Sequence, residues 1–105
     1  MITMVARMRV PPENAAAYEE LMDHVTQMTL SKEPGVRYYA WARSADEPDM
    51  YVVVEVYEDE HAQASHMATD WVRNSIPKTQ ALVDGRFEIK QYVTPGQQPV
   101  KLRHG

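Results

Sequence analysis

The stretch MYVVVEVYEDEHAQASHMATDW, residues 50–71, decides how this chain folds. Its first eight residues are the most β-prone run in the sequence, four valines with two tyrosines and a single carboxylate, Glu55. An acidic turn follows, and then a helical segment that carries His66 and, five residues on, Trp71. If residues 60–75 formed one unbroken helix, Ala64, Met67, Ala68 and Trp71 would make its buried side. His66 would then point about 160° away from that side, into solvent. A break at Ala68–Asp70 reverses this, because Ala62 and His66, at i and i+4, can then face the sheet together. Thr69 and Asp70 are both capping residue types and suit such a break, as Asp59 suits the start of the first piece. From the residues alone, both arrangements stand.

Working outward, residues 2–10, ITMVARMRV, alternate as a strand, with Ile2, Met4, Ala6, Met8 and Val10 on one face. Proline at 11–12 stops it, and the spacing predicts a helix over roughly 13–31. Its apolar stripe is Tyr18, Leu21, Met22, Val25 and Met28, with His24 on the wet side. Pro34 and Gly35 close that helix. VRYYAWARS, 36–44, is an aromatic strand, ADEPD a turn, and 50–58 the next strand. Residues 59–83 are helical in two pieces, and Pro77 is expected to kink or restart the second. Asp84-Gly85 turns the chain into a last strand, 86–93. The order β-α-β-β-α-β makes the fold class α+β, ferredoxin-like, with one antiparallel sheet and helices on one side. Residues 1–93 form the domain and 94–105 a tail of turn and coil composition.

With 105 residues the chain is one domain with a thin core. A net charge of −4 with scattered Lys and Arg argues against nucleic acid or an anionic membrane as partner. The absence of cysteine excludes a disulfide framework, a thiol nucleophile and thiolate metal sites. The N-terminus lacks the unbroken apolar run of a signal peptide, and no stretch is long enough to span a bilayer, so the expected location is the cytoplasm.

The strands carry a clue to assembly. A sheet with helices on one face should alternate apolar and polar residues. In 50–57, however, Met50, Val52, Val54 and Val56 lie on one face, while Tyr51, Val53 and Tyr57 share the other with Glu55. In the preceding strand Val36, Tyr38, Ala40 and Ala42 oppose Arg37, Tyr39, Trp41 and Arg43. Leaving several such side chains wet is costly at roughly 1.5–3 kcal/mol each. The simplest cover is a second copy, sheet against sheet, in a homodimer. The other cover is the tail, folded back through Val100 and Leu102.

No glycine-rich phosphate loop, dinucleotide fingerprint, HExxH or nucleophile elbow is present. His61 and His66 are about 140° apart around a helix, which is unsuited to one shared metal. What remains is polar groups in apolar surroundings. Glu55 sits among valines and needs a partner or a proton. Tyr39, Tyr51, Tyr57, Trp41 and Trp71 are either core or the walls of an aromatic pocket. His66 is the histidine closest to these groups in sequence, and an imidazole is suited to taking a proton from an acidic C–H or a phenolic O–H.

EPGVRYYAWARS (33–44), the turn ADEPD, YVVVEVYEDEHAQASH (51–66) and DGRFEIKQYV (84–93) together resemble the antibiotic biosynthesis monooxygenase (ABM) family. Its members are small dimeric α+β-barrel proteins and include quinol monooxygenases and anthrone oxygenases. The most specific positions are Glu33, Pro34, Gly35, Tyr39, Glu55, Tyr57, Ala62 and His66. The resemblance implies a helix break after His66, with His66, Glu55 and Tyr57 facing a pocket between helices and sheet. It implies a monooxygenase without metal or organic cofactor, acting with O2 on a small hydroxylated aromatic of quinol or anthrone type. His66 would be the general base or hydrogen-bond partner of a substrate oxygen, and Glu55 would orient or tune it. Tyr39, Tyr57 and Trp71 would form aromatic walls, with a tyrosine hydroxyl for the second oxygen. Haem-degrading relatives use an asparagine, a tryptophan and a histidine where this chain has Ala6, His66 and Ser75, so haem degradation is disfavoured. The alternatives are an isomerase or aldehyde-processing enzyme on the same barrel, or a non-catalytic barrel that binds a small molecule.

Overall fold

The computed structural model describes residues 1–102. Strand β1 (Ile2–Arg9) leads through a 3-10 turn at Pro12–Asn14 into helix α1 (Ala15–Lys32). Strands β2 (Val36–Arg43) and β3 (Met50–Tyr57) follow, then helices α2 (Glu60–Ala68) and α3 (Asp70–Leu82), and last strand β4 (Asp84–Val93). The four strands form one antiparallel sheet in the order β2-β3-β1-β4. This is the expected ferredoxin-like α+β arrangement. No helix among the described residues is long and apolar enough to cross a membrane.

The sheet has two unlike faces. Ile2, Met4, Ala6 and Met8 lie in register with Tyr57, Glu55, Val53 and Tyr51. These face the helices and, apart from Glu55, are buried against Tyr18, Met22 and Val25 of α1 and Val72 of α3. Thr29, not Met28, completes the inward side of α1. His24 is exposed, as its place off the stripe predicts. On the opposite face Val5, Val52, Val54 and Val56 are only partly covered.

Three departures from the sequence pattern have local causes. A register shift between Val36 and Tyr38 places one extra residue in β2. Such a bulge moves the residues beyond it to the other face. Val36 therefore shares the helix side with Tyr39, while Tyr38 is 53% exposed on the other. The simple alternation had put Val36 and Tyr38 together. Second, α3 runs through Pro77 without restarting. Proline there removes the bond to the Arg73 carbonyl, and both residues are exposed, so water can take its place. Third, β4 begins two residues early, at Asp84, because Gly85 (φ 83°) accommodates an irregularity opposite Arg7–Arg9.

The tail folds back, but onto the helix side. Gln91, in register with Met4, binds the Val100 backbone at both ends of its amide, donating to the carbonyl and accepting from the N–H at 2.9 Å each. Val100 and Leu102 pack against the helix-side core. Val100 and Leu102 thus lie on the helix side and not over the valine face.

Candidate active site

The site begins with the junction between α2 and α3. The Asp59 side chain accepts the Ala62 N–H at 2.9 Å and starts α2. At Thr69 the backbone becomes extended (φ −68°, ψ 152°) and the helix stops. The Thr69 hydroxyl donates to the His66 carbonyl at 2.8 Å and accepts the Val72 N–H at 3.4 Å. One side chain thus closes α2 and opens α3. Because the rod is broken here, Ala62 and His66 face inward and are buried, whereas Ala64, Met67 and Ala68 are exposed.

A close approach fixes α2 against the end of α1. A Cβ on Gly35 would lie 2.7 Å from the Ala62 Cβ, so glycine is required for the helix to sit where it does. The Glu58 N–H donates to the Gly35 carbonyl at 2.9 Å, tying the same turn to the end of β3.

His66 lies between two carboxylates. Its Nδ1 is 2.9 and 3.1 Å from the two oxygens of Glu33, the residue that ends α1. The Trp71 indole N–H donates to the same carboxylate at 2.8 Å. Its Nε2 faces Glu55 Oε1 at 3.7 Å, too far for a hydrogen bond. Glu55 instead accepts the Tyr57 hydroxyl, two residues along β3. Tyr39 is in register with Glu55, and the Tyr39 and Tyr57 rings each stand 5.4 Å from the imidazole. Among the described residues the Tyr39 hydroxyl has no hydrogen-bond partner, so it is a free donor.

Burial sets the electrostatics. It pushes the Glu55 carboxyl above its ordinary value; the Tyr57 hydroxyl and His66 pull it back, and the Glu33 charge adds to the rise. Burial also raises both phenols, and the Glu55 charge beside them raises them further, leaving Tyr39 and Tyr57 firmly protonated. Exposure within the cluster grows from 3% for the His66 side chain through 9% for Glu33 to 17% for Glu55. Solvent therefore reaches it from the Glu55 end.

All five side chains named from the sequence, His66, Glu55, Tyr39, Tyr57 and Trp71, meet here. Trp71 contributes its N–H to Glu33 as well as a ring. Trp41 and Tyr51 bond instead to Asp23 and Glu19 on α1. The residue that sequence reasoning missed as a site group is Glu33, read there as part of the Glu-Pro-Gly helix stop and as a position of the family resemblance, with no role in the site. Its signal was an acid beside a Pro-Gly stop. Two surface pockets lie away from this cluster, one lined by Val10, Arg43 and Asp49 and the other by Leu21 and Lys78 between α1 and α3.

Comparison with known proteins agrees with this architecture. The family profile "Antibiotic biosynthesis monooxygenase" matches residues 1–77. A conserved protein from Methanosarcina mazei Go1 superposes with a TM-score of 0.82 at 26% identity, over 87% of this chain and 89% of that one. A candidate antibiotic biosynthesis monooxygenase from Caulobacter crescentus CB15 gives 0.83 at 27% identity, over 87% and 86%. Rv0793 from Mycobacterium tuberculosis, at 22% identity, shares the fold with a TM-score of 0.81 over 89% and 93%. No curated protein sequence matches. The chain belongs to the antibiotic biosynthesis monooxygenase family.

Proposed function

We propose that the protein is a cofactor-independent monooxygenase that oxidises a small hydroxylated aromatic, of quinol or anthrone type, with O2. One observation carries this: a buried imidazole whose Nδ1 is occupied and whose Nε2 has no hydrogen-bond partner, facing a carboxylate and two phenols. A substrate oxygen about 2.8 Å from both Nε2 and Glu55 Oε1 would sit roughly 2 Å off the line between them. There it can pass a proton to Nε2. The Glu55 carboxylate attracts the positive charge that forms on the ring. The Tyr39 hydroxyl is placed to hold a second oxygen, and the rings of Tyr39, Tyr57 and Trp71 to bound the aromatic ligand.

Deprotonation makes an electron-rich carbanion or phenolate that reduces O2 directly. For an anthrone-type CH2, O2 is consumed, one oxygen atom becomes the new carbonyl, and the other leaves as water with both hydrogens. The four electrons come from the carbon. The protein binds, deprotonates and excludes water. His66→Ala is expected to abolish substrate-dependent oxygen uptake while circular dichroism shows an unchanged fold. Equal uptake by the variant would remove His66 from the chemistry.

The partly covered valine face of the sheet supports a homodimer. Its apolar centre is bordered by charged groups, among them Arg7 and Arg9 paired with Glu47, Glu88 and Asp49. An apolar centre with a charged rim is the usual anatomy of an interface. The deep burial of the His66 side chain, 3% exposed, favours one second reading, a barrel that binds a ligand without turning it over. A ligand that stabilises the protein with no oxygen consumed would select it. An isomerase would turn its substrate over, again without oxygen uptake.

A further inference from the structure

We infer that Glu33 is a positioning residue for His66, which makes Nε2 the bare nitrogen of the neutral ring. The catalytic consequence rests on the reading proposed above; the proton placement does not. Glu33 accepts the Trp71 indole N–H at 2.8 Å on Oε2, and its Oε1 lies 2.9 Å from His66 Nδ1. An indole nitrogen can only donate. An ionised carboxylate only accepts and has no proton to offer. A bare Nδ1 at that distance would set lone pair against lone pair, so the ring proton lies on Nδ1. The lone pair of Nε2 then points toward Glu55.

The remaining neighbours leave this placement intact. From β3 the ring meets Glu55, whose Oε1 is occupied by the Tyr57 hydroxyl and stands 3.7 Å away. From β2 it meets Tyr39, at ring distance only. Glu33 is itself held by its backbone: its N–H donates to the Thr29 carbonyl at 3.0 Å and its carbonyl accepts the Val36 N–H at 3.1 Å. The turn that fixes the carboxylate also carries Gly35, against which α2 is seated. One short segment therefore places both members of the pair.

The isosteric variant Glu33→Gln makes the inference testable. Its amide has one acceptor and one donor end. Trp71 requires the acceptor, so the NH2 must face His66. The ring then carries its proton on Nε2 and loses its base there. Nitrogen-15 NMR of the imidazole, recorded where the ring is neutral and without substrate, is expected to show Nδ1–H in the native protein and Nε2–H in E33Q. Adding Trp71→Phe frees the amide to turn over, and Nδ1–H should return in E33Q/W71F. With an active substrate, kcat of E33Q should fall about 10²- to 10⁴-fold with KM little changed. An Nε2–H tautomer in the native protein, which needs no variant to fold, overturns the inference, as does Nδ1–H in folded E33Q. A switch of tautomer with oxygen uptake unchanged upholds the placement of the proton by Glu33 and defeats the reading of Nε2 as the base instead.

Discussion

Replacing Gly35 by alanine adds a single methyl group at the contact that seats α2. The new Cβ would lie 2.7 Å from the Ala62 Cβ and 3.6 Å from its Cα. Carbon atoms at rest stand about 3.5–4.0 Å apart, so one side must retreat by about 1 Å. No rotamer can relieve the clash, because both atoms are fixed to backbone. Overpacking of this kind costs typically about 1–3 kcal/mol. Gly35 is not among the residues with positive φ, so alanine also recovers about 0.4–1 kcal/mol from the unfolded chain. The net loss is then roughly 1–2 kcal/mol, or about 5–15 °C in Tm for a domain of this size. The same retreat would stretch the 2.9 Å bond between His66 and Glu33 past hydrogen-bonding range. Activity should therefore fall further than stability does.

Thermal and urea melts of the native protein, Gly35→Ala, Ala62→Gly and the double variant close a cycle. Ala62→Gly alone weakens α2 by about 1 kcal/mol. In the double variant the clash is gone, so it should be more stable than the sum of the singles by about 1–3 kcal/mol. Additive losses, or Gly35→Ala melting with the native protein, would refute the claim that this contact positions His66.

Three further outcomes are expected. The raised pKa of Glu55 means that the folded state holds its proton more tightly than the unfolded chain; the stability this supplies is whole below pH 4.5 and lost as pH rises through the folded value. Urea melts of Glu55→Gln should accordingly decline less with rising pH across that window than those of the native protein, and parallel curves would exclude Glu55 as the source. Thr69→Ala removes the cap of α3 and the bond to the His66 carbonyl, at a cost of about 0.5–2 kcal/mol. Thr69→Ser keeps the hydroxyl and should lose much less; equal melting of the two would count against the cap. Val54 lies in register with Val5 and Ala40 at the centre of the partly covered face. Val54→Asp should halve the mass seen by sedimentation without changing the circular dichroism, and an unchanged mass would remove this face from the interface.

The strands were legible because β-branched and aromatic runs bounded by Pro, Gly and Asp leave little else for the chain to do. The break in the second helical region was half legible. Asp59 and Thr69 announced themselves as caps, but capping preference alone does not choose between a straight rod and a bent one. What chooses is the burial of Ala62 and His66 against the turn at Gly35 and the sheet, a tertiary term that no local pattern contains. The bulge at the start of β2 was hidden for a related reason. Strict alternation assigns Val36 and Tyr38 to one face, and only the packing of Val36 in the core shows that the chain slips there.

Glu33 shows most clearly how a site escapes a linear reading. It lies 33 residues from the imidazole it contacts, and in sequence it looks like one more acid near a helix end. The oddity that could be read was Glu55, a carboxylate among valines. Its burial raises the question of what compensates it, and the answer is only partial: one tyrosine hydroxyl and an imidazole just out of reach. Ionisable groups buried this way are weak contributors to stability, since an apolar core of the same volume does as well or better. A fold that seats two carboxylates and an imidazole under its helices, with one ring nitrogen left free, has departed there from the rule of the apolar core. Departures of that kind concentrate where a protein works.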